Sequence, residues 1–549
     1  MNPAASALLW ANDSPPLRAA SDALNAQPAP DPLPAVSMST TGRLVIIGEA
    51  AVAIGWAERL VGQRTVTVLA LDALPPAAEI DEAGEFHLEA GDALTLTGHL
   101  GAYALGWQVA GERRSAEFDV VLDLSPSALI KRIELPDGYV AAGRDALEQA
   151  LAVIDLLAFD GEFEKPRYVT VNDRLCAHGR AQKSGCSNCI EVCATEAIQG
   201  IGDGIRLDPY LCQGCGTCAT VCPSGALAYQ YPRVADVGLS LKAQIRAYRA
   251  AGGAAPGLLF YSTEAGRRQL AERKRSGLNL ADDFIPVETW SVDAVGLDLM
   301  LGALALGAAR VAVLGAGSHD LTPLRQQVKQ GQAILNGLGY SGDYLRIVDS
   351  ESTNGLADLA SWPAPMKVPV AEFRLLADKR TSLEFVIDHL LKHAPAPVDV
   401  IPLPAGAPFG AIEVSAACTL CMSCAGACPA GAIKAAADAP RLSFLERNCL
   451  QCGLCANTCP ENAITLTPRL WLKERRHERI LREAEIFCCT TCGKPMGAKP
   501  IIDNMLAKLA GHSMFADPAA LKRLTMCGDC RVIDLVTQEN SLKAWEMSE

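Results

Sequence analysis

Twenty-one cysteines stand in tight groups separated by long cysteine-free stretches, and their spacing limits what this chain can fold into more than any other feature. One block reads GCSNCIEVCATEAI and then LDPYLCQGCGTCATVCPSGALAY. The other reads ACTLCMSCAGACPAGAI and then SFLERNCLQCGLCANTCPENAITL. Cysteines, small residues and the apolar run after each group all align, so the blocks are an internal repeat. A secreted disulfide framework is normally a small domain with an even cysteine count. Here the spacing is that of metal ligands in a 549-residue chain, which points to thiolates kept reduced in the cytoplasm. A cubane iron–sulfur cluster needs four thiolates converging from tetrahedral directions. C-x2-C-x2-C lets one tight loop supply three of them, with its backbone N–H groups free to bond the cluster sulfurs.

The second block resembles the bacterial dicluster ferredoxins, in which the cysteine three residues beyond the C-x2-C-x2-C loop ligates the other cluster. That resemblance implies one [4Fe–4S] cluster on Cys418, Cys421, Cys424 and Cys459, and another on Cys449, Cys452, Cys455 and Cys428. Pro429 and Pro460 follow the crossing cysteines, where a fixed φ and a missing donor turn the chain. The first block departs once. Its second half, Cys212, Cys215, Cys218 and Cys222-Pro223, is regular, but its first half has Cys186, Cys189 and Cys193 with Lys183 where a cysteine belongs. The nearest earlier cysteine is Cys176, across AHGRAQKSG, a polar glycine-containing insertion that can loop out and return it to the missing corner. One cluster is thus assigned to Cys176, Cys186, Cys189 and Cys222, the other to Cys212, Cys215, Cys218 and Cys193. The alternative is a degenerate site with a three-iron cluster or none, and His178 is a second candidate for the corner.

Five cysteines remain. Cys489-x2-Cys492 and Cys527-x2-Cys530 form two pairs with 34 residues between them, and Cys488 is left over. Two C-x2-C knuckles facing each other make a tetrahedral S4 site, so this region reads as zinc-ribbon-like. Gly493 and Gly528 suit the tight turns.

Between the cysteine groups the text alternates strand and helix. RLVIIG, TVTVLALD and FDVVLDL read as buried strands, with helices over 53–60 and 142–158. This is the opening of a degenerate Rossmann-like unit. The dinucleotide fingerprint needs G-x-G-x-x-G, whereas GEAAVAIG offers only Gly48 and Gly55; Asp72, ending the next strand, is the candidate for a ribose hydroxyl. Missing glycines argue against bound FAD or NAD. In the middle, ETWSVDAVGLDLMLGALALGAARVAVLGAG and QGQAILNGLGYSGDYLRIV resemble the delta subunit of methyl-viologen-reducing hydrogenase. That family carries cysteines in this domain and this segment has none, so a docking or scaffold role is what the resemblance leaves.

The expected organisation is multidomain α/β and α+β: a disordered Ala/Pro/Ser-rich tail over 1–40, a Rossmann-like unit over 41–165, a dicluster ferredoxin module over 166–235, a hydrogenase-delta-like α/β unit over 236–400, a second dicluster module over 401–470, and a charged helix leading into the zinc-ribbon-like region over 471–549. The helix is expected over 469–485, where Arg, Lys and Glu fall at i,i+4 spacing.

A net charge of −13 repels nucleic acid and anionic lipid and suits docking on basic patches of redox proteins. The opening residues lack the basic and apolar regions of a secretory signal. Asp298 and Arg310 interrupt the most apolar stretch, 297–317, which therefore reads as a buried helix and strand rather than a membrane span. The order of units resembles parts of the flavin and iron–sulfur subunit of heterodisulfide reductase, and also a proteobacterial group of 4Fe–4S proteins associated with formate dehydrogenase. The reading that follows is an electron carrier with four [4Fe–4S] clusters working between a dehydrogenase or ferredoxin-type donor and acceptor. The alternatives are a flavin-dependent oxidoreductase component of the heterodisulfide reductase type and a maturation or scaffold protein for a metalloenzyme.

Overall fold

A computed structural model describes residues 14–546 apart from 75–85, 278–279, 282, 350–354 and 363–367, with side chains described as far as 537. Its first unit is built on a five-stranded parallel sheet in the order His87–Ala90, Thr65–Ala70, Arg43–Gly48, Val120–Asp123, Tyr139–Ala141. Both faces of the central strand are covered, which is why RLVIIG is continuously apolar. Leu44 and Ile46 pack with helices Ala50–Leu60 and Ala146–Leu157. Val45 and Ile47 face Tyr103, Leu105 and Trp107 of a three-stranded antiparallel sheet spanning Asp92–Thr97, Tyr103–Val109 and Glu112–Phe118.

The middle unit carries a four-stranded parallel sheet in the order Phe284–Thr289, Gly257–Ser262, Arg310–Leu314, Leu345–Val348. The apolar stretch becomes the helix Leu297–Ala305, buried at all nine positions, followed by the buried strand Arg310–Leu314. No helix among the described residues is long and apolar enough to cross a membrane. Each cysteine block is a small module closed at its ends by an antiparallel pair: Val169–Val171 with Leu227–Tyr229, and Gly410–Val414 with Ile464–Trp471.

Two expectations are corrected. Of the tail 1–40, residues 1–13 lie outside the described residues, but 14–40 are structured rather than disordered. Helix Pro15–Asn25 buries Leu17 and Ala20 against Leu241 and Ile245 of helix Val234–Ala250, and strand Ala35–Thr40 pairs antiparallel with Gly161–Pro166. The i,i+3 apolar pair was present in a segment whose Ala, Ser and Pro content hid it.

The segment 469–485 is not a helix. Strand Ile464–Trp471 and strand Glu478–Glu483 flank a single turn at Glu474–Arg476. The second strand pairs with Arg441–Leu445. Arg475 is 1% exposed and forms ion pairs with Glu384 and with Asp388 on helix Lys379–Lys392. Sheet pairing and this buried guanidinium outweigh i,i+4 pairs worth only ~0.2–0.5 kcal/mol each.

Candidate metal centres

The loops that present the cysteines share one backbone pattern. In Cys212–Cys218, Cys418–Cys424 and Cys449–Cys455, the third and fifth residues are left-handed: Gly214 and Gly216, Leu420 and Met422, Gln451 and Gly453. Two such residues coil seven positions tightly enough to aim three sulfurs inward. The residue three beyond each crossing cysteine is left-handed as well, at Glu196, Gly225, Gly431 and Asn462, which turns the chain back into its apolar strand.

Cys418, Cys421, Cys424 and Cys459 line one cavity, with Leu420, Leu442 and Ile464 among its walls. Cys428, Cys449, Cys452 and Cys455 line a second, with Ile412, Ile433 and Phe444. Cys193, Cys212, Cys215 and Cys218 line a third, with Val169, Ile198 and Leu207. Each joins three cysteines of one loop to the crossing cysteine of the other half. Backbone N–H groups donate to sulfur from Leu420 to Cys418 at 3.4 Å, Ala432 to Cys428 at 3.3 Å and Ala463 to Cys459 at 3.3 Å.

In the departed quarter the insertion forms a hairpin. Gly179–Arg180 pairs with Lys183–Ser184 across a two-residue turn, Ala181 and Gln182, both left-handed. Cys186 N–H donates to the Ala177 carbonyl at 3.0 Å, which sets Cys176 and Cys186 side by side. Cys176, Cys189 and Cys222 share one buried cluster, and Cys176, Cys186 and Cys222 all act electrostatically on Cys189. His178 lies at this hairpin with Nδ1 3.0 Å from the Cys186 carbonyl, its ring so close to Gly200 that a Cβ there would sit 2.5 Å from Nε2.

Burial pushes the thiols of Cys189, Cys424 and Cys455 up to about 12 and those of Cys186, Cys212 and Cys449 up to about 11, with neighbouring cysteines adding to the rise. Four thiolates cannot share such an enclosure without cationic charge among them. Iron supplies that charge, and the donor set fits a cubane in number, type and apolar surround.

The C-terminal cysteines make a more compact group. The sulfurs of Cys489, Cys492, Cys527 and Cys530 all lie within 4.8 Å of one another, and Cys492 and Cys527 are 3.7 Å apart. Tetrahedral ligation at ~2.3 Å places sulfurs about 3.8 Å apart, so the group has the size of a single-ion site. The first knuckle sits on the hairpin Ile486–Cys488 with Pro495–Ala498, where Gly493 is left-handed; the second opens helix Gly528–Glu546, so Gly528 begins a helix rather than a turn. N–H groups of Cys527, Cys492 and Thr491 pull the Cys489 thiol down to about 6. Cys488 is exposed.

Of the three dinucleotide candidates, Gly48 ends the strand before helix Ala50–Leu60, Gly55 lies within that helix and Asp72 reaches its N-terminus. Asp72 Oδ1 accepts from the Ala50 N–H at 2.7 Å, so its carboxylate takes the helix N-terminus that a pyrophosphate would use. Gly48 packs against Leu124, where a Cβ would be 2.9 Å away, while Gly55 faces open space.

Residues that motif reading missed surround the sulfurs. Beside the Cys212 loop Tyr168 stacks on Trp290 and Tyr231 meets both rings edge-on, and Tyr229 donates to the Gly214 carbonyl at 2.7 Å. Lys379 and Arg380, from the cysteine-free unit, donate to backbone carbonyls of both modules. The apolar run after the crossing cysteine signalled Tyr229; nothing local signals the others.

Comparison with known proteins agrees with this geometry. Residues 417–464 match the 4Fe-4S dicluster domain, and residues 205–228 match the 4Fe-4S binding domain. A 40-residue stretch is 48% identical to hydrogenase-4 component A of Escherichia coli strain K12, covering 7% of this chain and 20% of that protein. Both cysteine blocks thus contain ferredoxin-type 4Fe-4S domains, and iron–sulfur electron transfer is the chemistry they support.

Proposed function

We propose that the chain relays single electrons between redox partner proteins through four [4Fe–4S] clusters, held by Cys176/Cys186/Cys189/Cys222, Cys193/Cys212/Cys215/Cys218, Cys428/Cys449/Cys452/Cys455 and Cys418/Cys421/Cys424/Cys459. The observation that carries this reading is that three quartets each line one cavity, three loop cysteines with the crossing cysteine of the other half, while at the fourth an inserted hairpin sets Cys176 beside Cys186. A bound cluster supplies one-electron chemistry; the chain supplies thiolates, amide donors and apolar walls that exclude water and set the potential. The need for reduced thiols favours the cytoplasm as the compartment.

The Cys489/Cys492/Cys527/Cys530 group is read as a structural zinc site, its compactness being the argument. The first unit has the strand order of a dinucleotide fold, yet Asp72 at the helix N-terminus opposes an anionic cofactor, so FAD or NAD is not assigned to it. The middle unit serves as a scaffold in the manner of the hydrogenase-delta resemblance, and a formate dehydrogenase or heterodisulfide reductase-type system supplies the partners. Anaerobic metal analysis with EPR of the reduced protein tests the reading. Four irons per quartet and fast-relaxing S = 1/2 signals are expected; oxygen-protected protein free of iron would overturn it.

A further inference from the structure

Helix Lys379–Lys392 belongs to the cysteine-free middle unit, yet its first two residues reach into different modules. Lys379 Nζ donates to the carbonyls of Ala219 at 2.9 Å, Thr220 at 2.6 Å and Cys222 at 3.1 Å, at the end of helix Thr217–Val221 where carbonyls lack intrahelical donors. The lysine backbone is seated by the left-handed Gly225, whose Cβ would lie 3.0 Å from Lys379 Cβ. Arg380 donates to the carbonyls of Arg447 at 2.7 Å and Cys449 at 3.4 Å, and its guanidinium lies 4.5 Å over the Phe409 ring. Cys222 and Cys449 are in separate blocks of the sequence, and one dipeptide ties both down.

A second contact joins the same two quartets from another part of the chain. Asn457 Nδ2 donates to the Ser184 carbonyl at 2.8 Å. Gly185 follows, so close to the second module that a Cβ would be 3.0 Å from Leu454 Cβ and 3.4 Å from the Cys452 carbonyl. The next residue is Cys186. The hairpin that restores the missing corner therefore also presses that corner against the Cys452 loop. The other two quartets face elsewhere: the Gly216 position of one abuts Ala294 of the middle unit, and Glu461 at the other binds Lys508 of the C-terminal region at 3.0 Å.

We infer that Lys379–Arg380 and the 179–185 hairpin form a bracket that sets the Cys176/Cys186/Cys189/Cys222 and Cys428/Cys449/Cys452/Cys455 quartets face to face, so that two ferredoxin modules act as one relay with the other two quartets at its ends. This rests on the reading that all four quartets hold clusters. The step across the bracket is one electron lost by one module and gained by the other, with no proton or group exchanged. Lys379 and Arg380 are positioning residues: they touch ligand backbone, not sulfur.

The test is EPR on full-length, anaerobically reconstituted and fully reduced protein, with iron measured on the same sample. Wild type should show magnetic interaction between the modules. Lys379→Met/Arg380→Met should keep its iron and the interaction within each module but lose the component between them, and Lys379→Arg/Arg380→Lys should restore it. Because the double variant can fail to fold, wild-type protein is also compared with Asn457→Ala, which removes the bond to Ser184 without touching a ligand. The interaction between the modules should weaken while that within each module stays, and an unchanged interaction counts against the bracket. Full iron with a spectrum that is the sum of two isolated modules overturns the bracket alone. Wild-type protein lacking iron overturns the bracket and the relay reading together.

Discussion

At the scale of single residues, the cysteine loops depend on backbone conformations that side chains resist. Gly216 and Gly453 occupy equivalent left-handed positions with φ of 84° and 78°. A Cβ at Gly453 would meet nothing within 4 Å, whereas one at Gly216 would lie 2.7 Å from Ala294 Cβ. Gly453→Ala should therefore cost only the conformational penalty, about 1 kcal/mol. Gly216→Ala adds a clash with a neighbouring unit and should cost clearly more. Denaturant midpoints of the iron-loaded variants measure both, and equal losses would count against the packing described at Ala294. The compact C-terminal group gives a second residue-scale expectation. Cys492→Ala removes one of four sulfurs within 4.8 Å and should lower zinc while leaving iron at the wild-type level. Parallel loss of iron in metal analysis would mean this group holds a cluster.

At the scale of elements, the inserted hairpin shows what a sequence can and cannot declare. That AHGRAQKSG would loop out was readable from its polarity and its glycines, and so were the strands whose apolar runs are buried on both faces. The hairpin's contact with Asn457 was not readable, because nothing within nine residues encodes a partner 273 positions away. The same reason hid the strand Glu478–Glu483: its charge spacing fits a helix locally, and only pairing with Arg441–Leu445 and burial of Arg475 nearby decide otherwise. Helix Pro15–Asn25 was missed for the converse reason, a composition typical of linkers concealing Leu17 and Ala20. The hairpin turn itself is not optimised. Ala181 and Gln182 hold φ of 50° and 63°, a type I′ pair that Asn-Gly prefers. Ala181→Asn/Gln182→Gly should stabilise the turn by roughly 0.5–1 kcal/mol, since the two backbone N–H groups that donate to the Asp203 carboxylate survive the change. Slower iron loss from the first module under chelator would report it; faster loss would show that the turn is not what closes the Cys176 corner.

At the scale of the molecule, stability is divided unequally. The two parallel-sheet units have apolar cores of their own, one around Leu44, Ile46, Val66 and Leu122 and the other around Leu258, Met300, Leu304 and Val311. The cysteine modules have smaller cores, in which the cysteines themselves stand among the buried residues beside Ile198, Leu227, Ile433 and Phe444, and their helices are single turns. Where ligands are part of the core, metal binding is folding free energy. Iron removal should therefore open residues 176–222 and 418–459 to amide exchange while 43–70, 257–262 and 297–314 stay protected. The bracket makes a further distinction within the middle unit. Helix Lys379–Lys392 is anchored to both modules at its first turn but to its own core by Leu383, Val386, Ile387 and Leu390. Its N-terminal turn should lose protection with the iron and its later turns should keep it. Hydrogen exchange on holo and chelator-treated protein reads this directly, and uniform loss across both sheet units would refute the division, because it would make the clusters the core of the whole chain rather than of two modules within it.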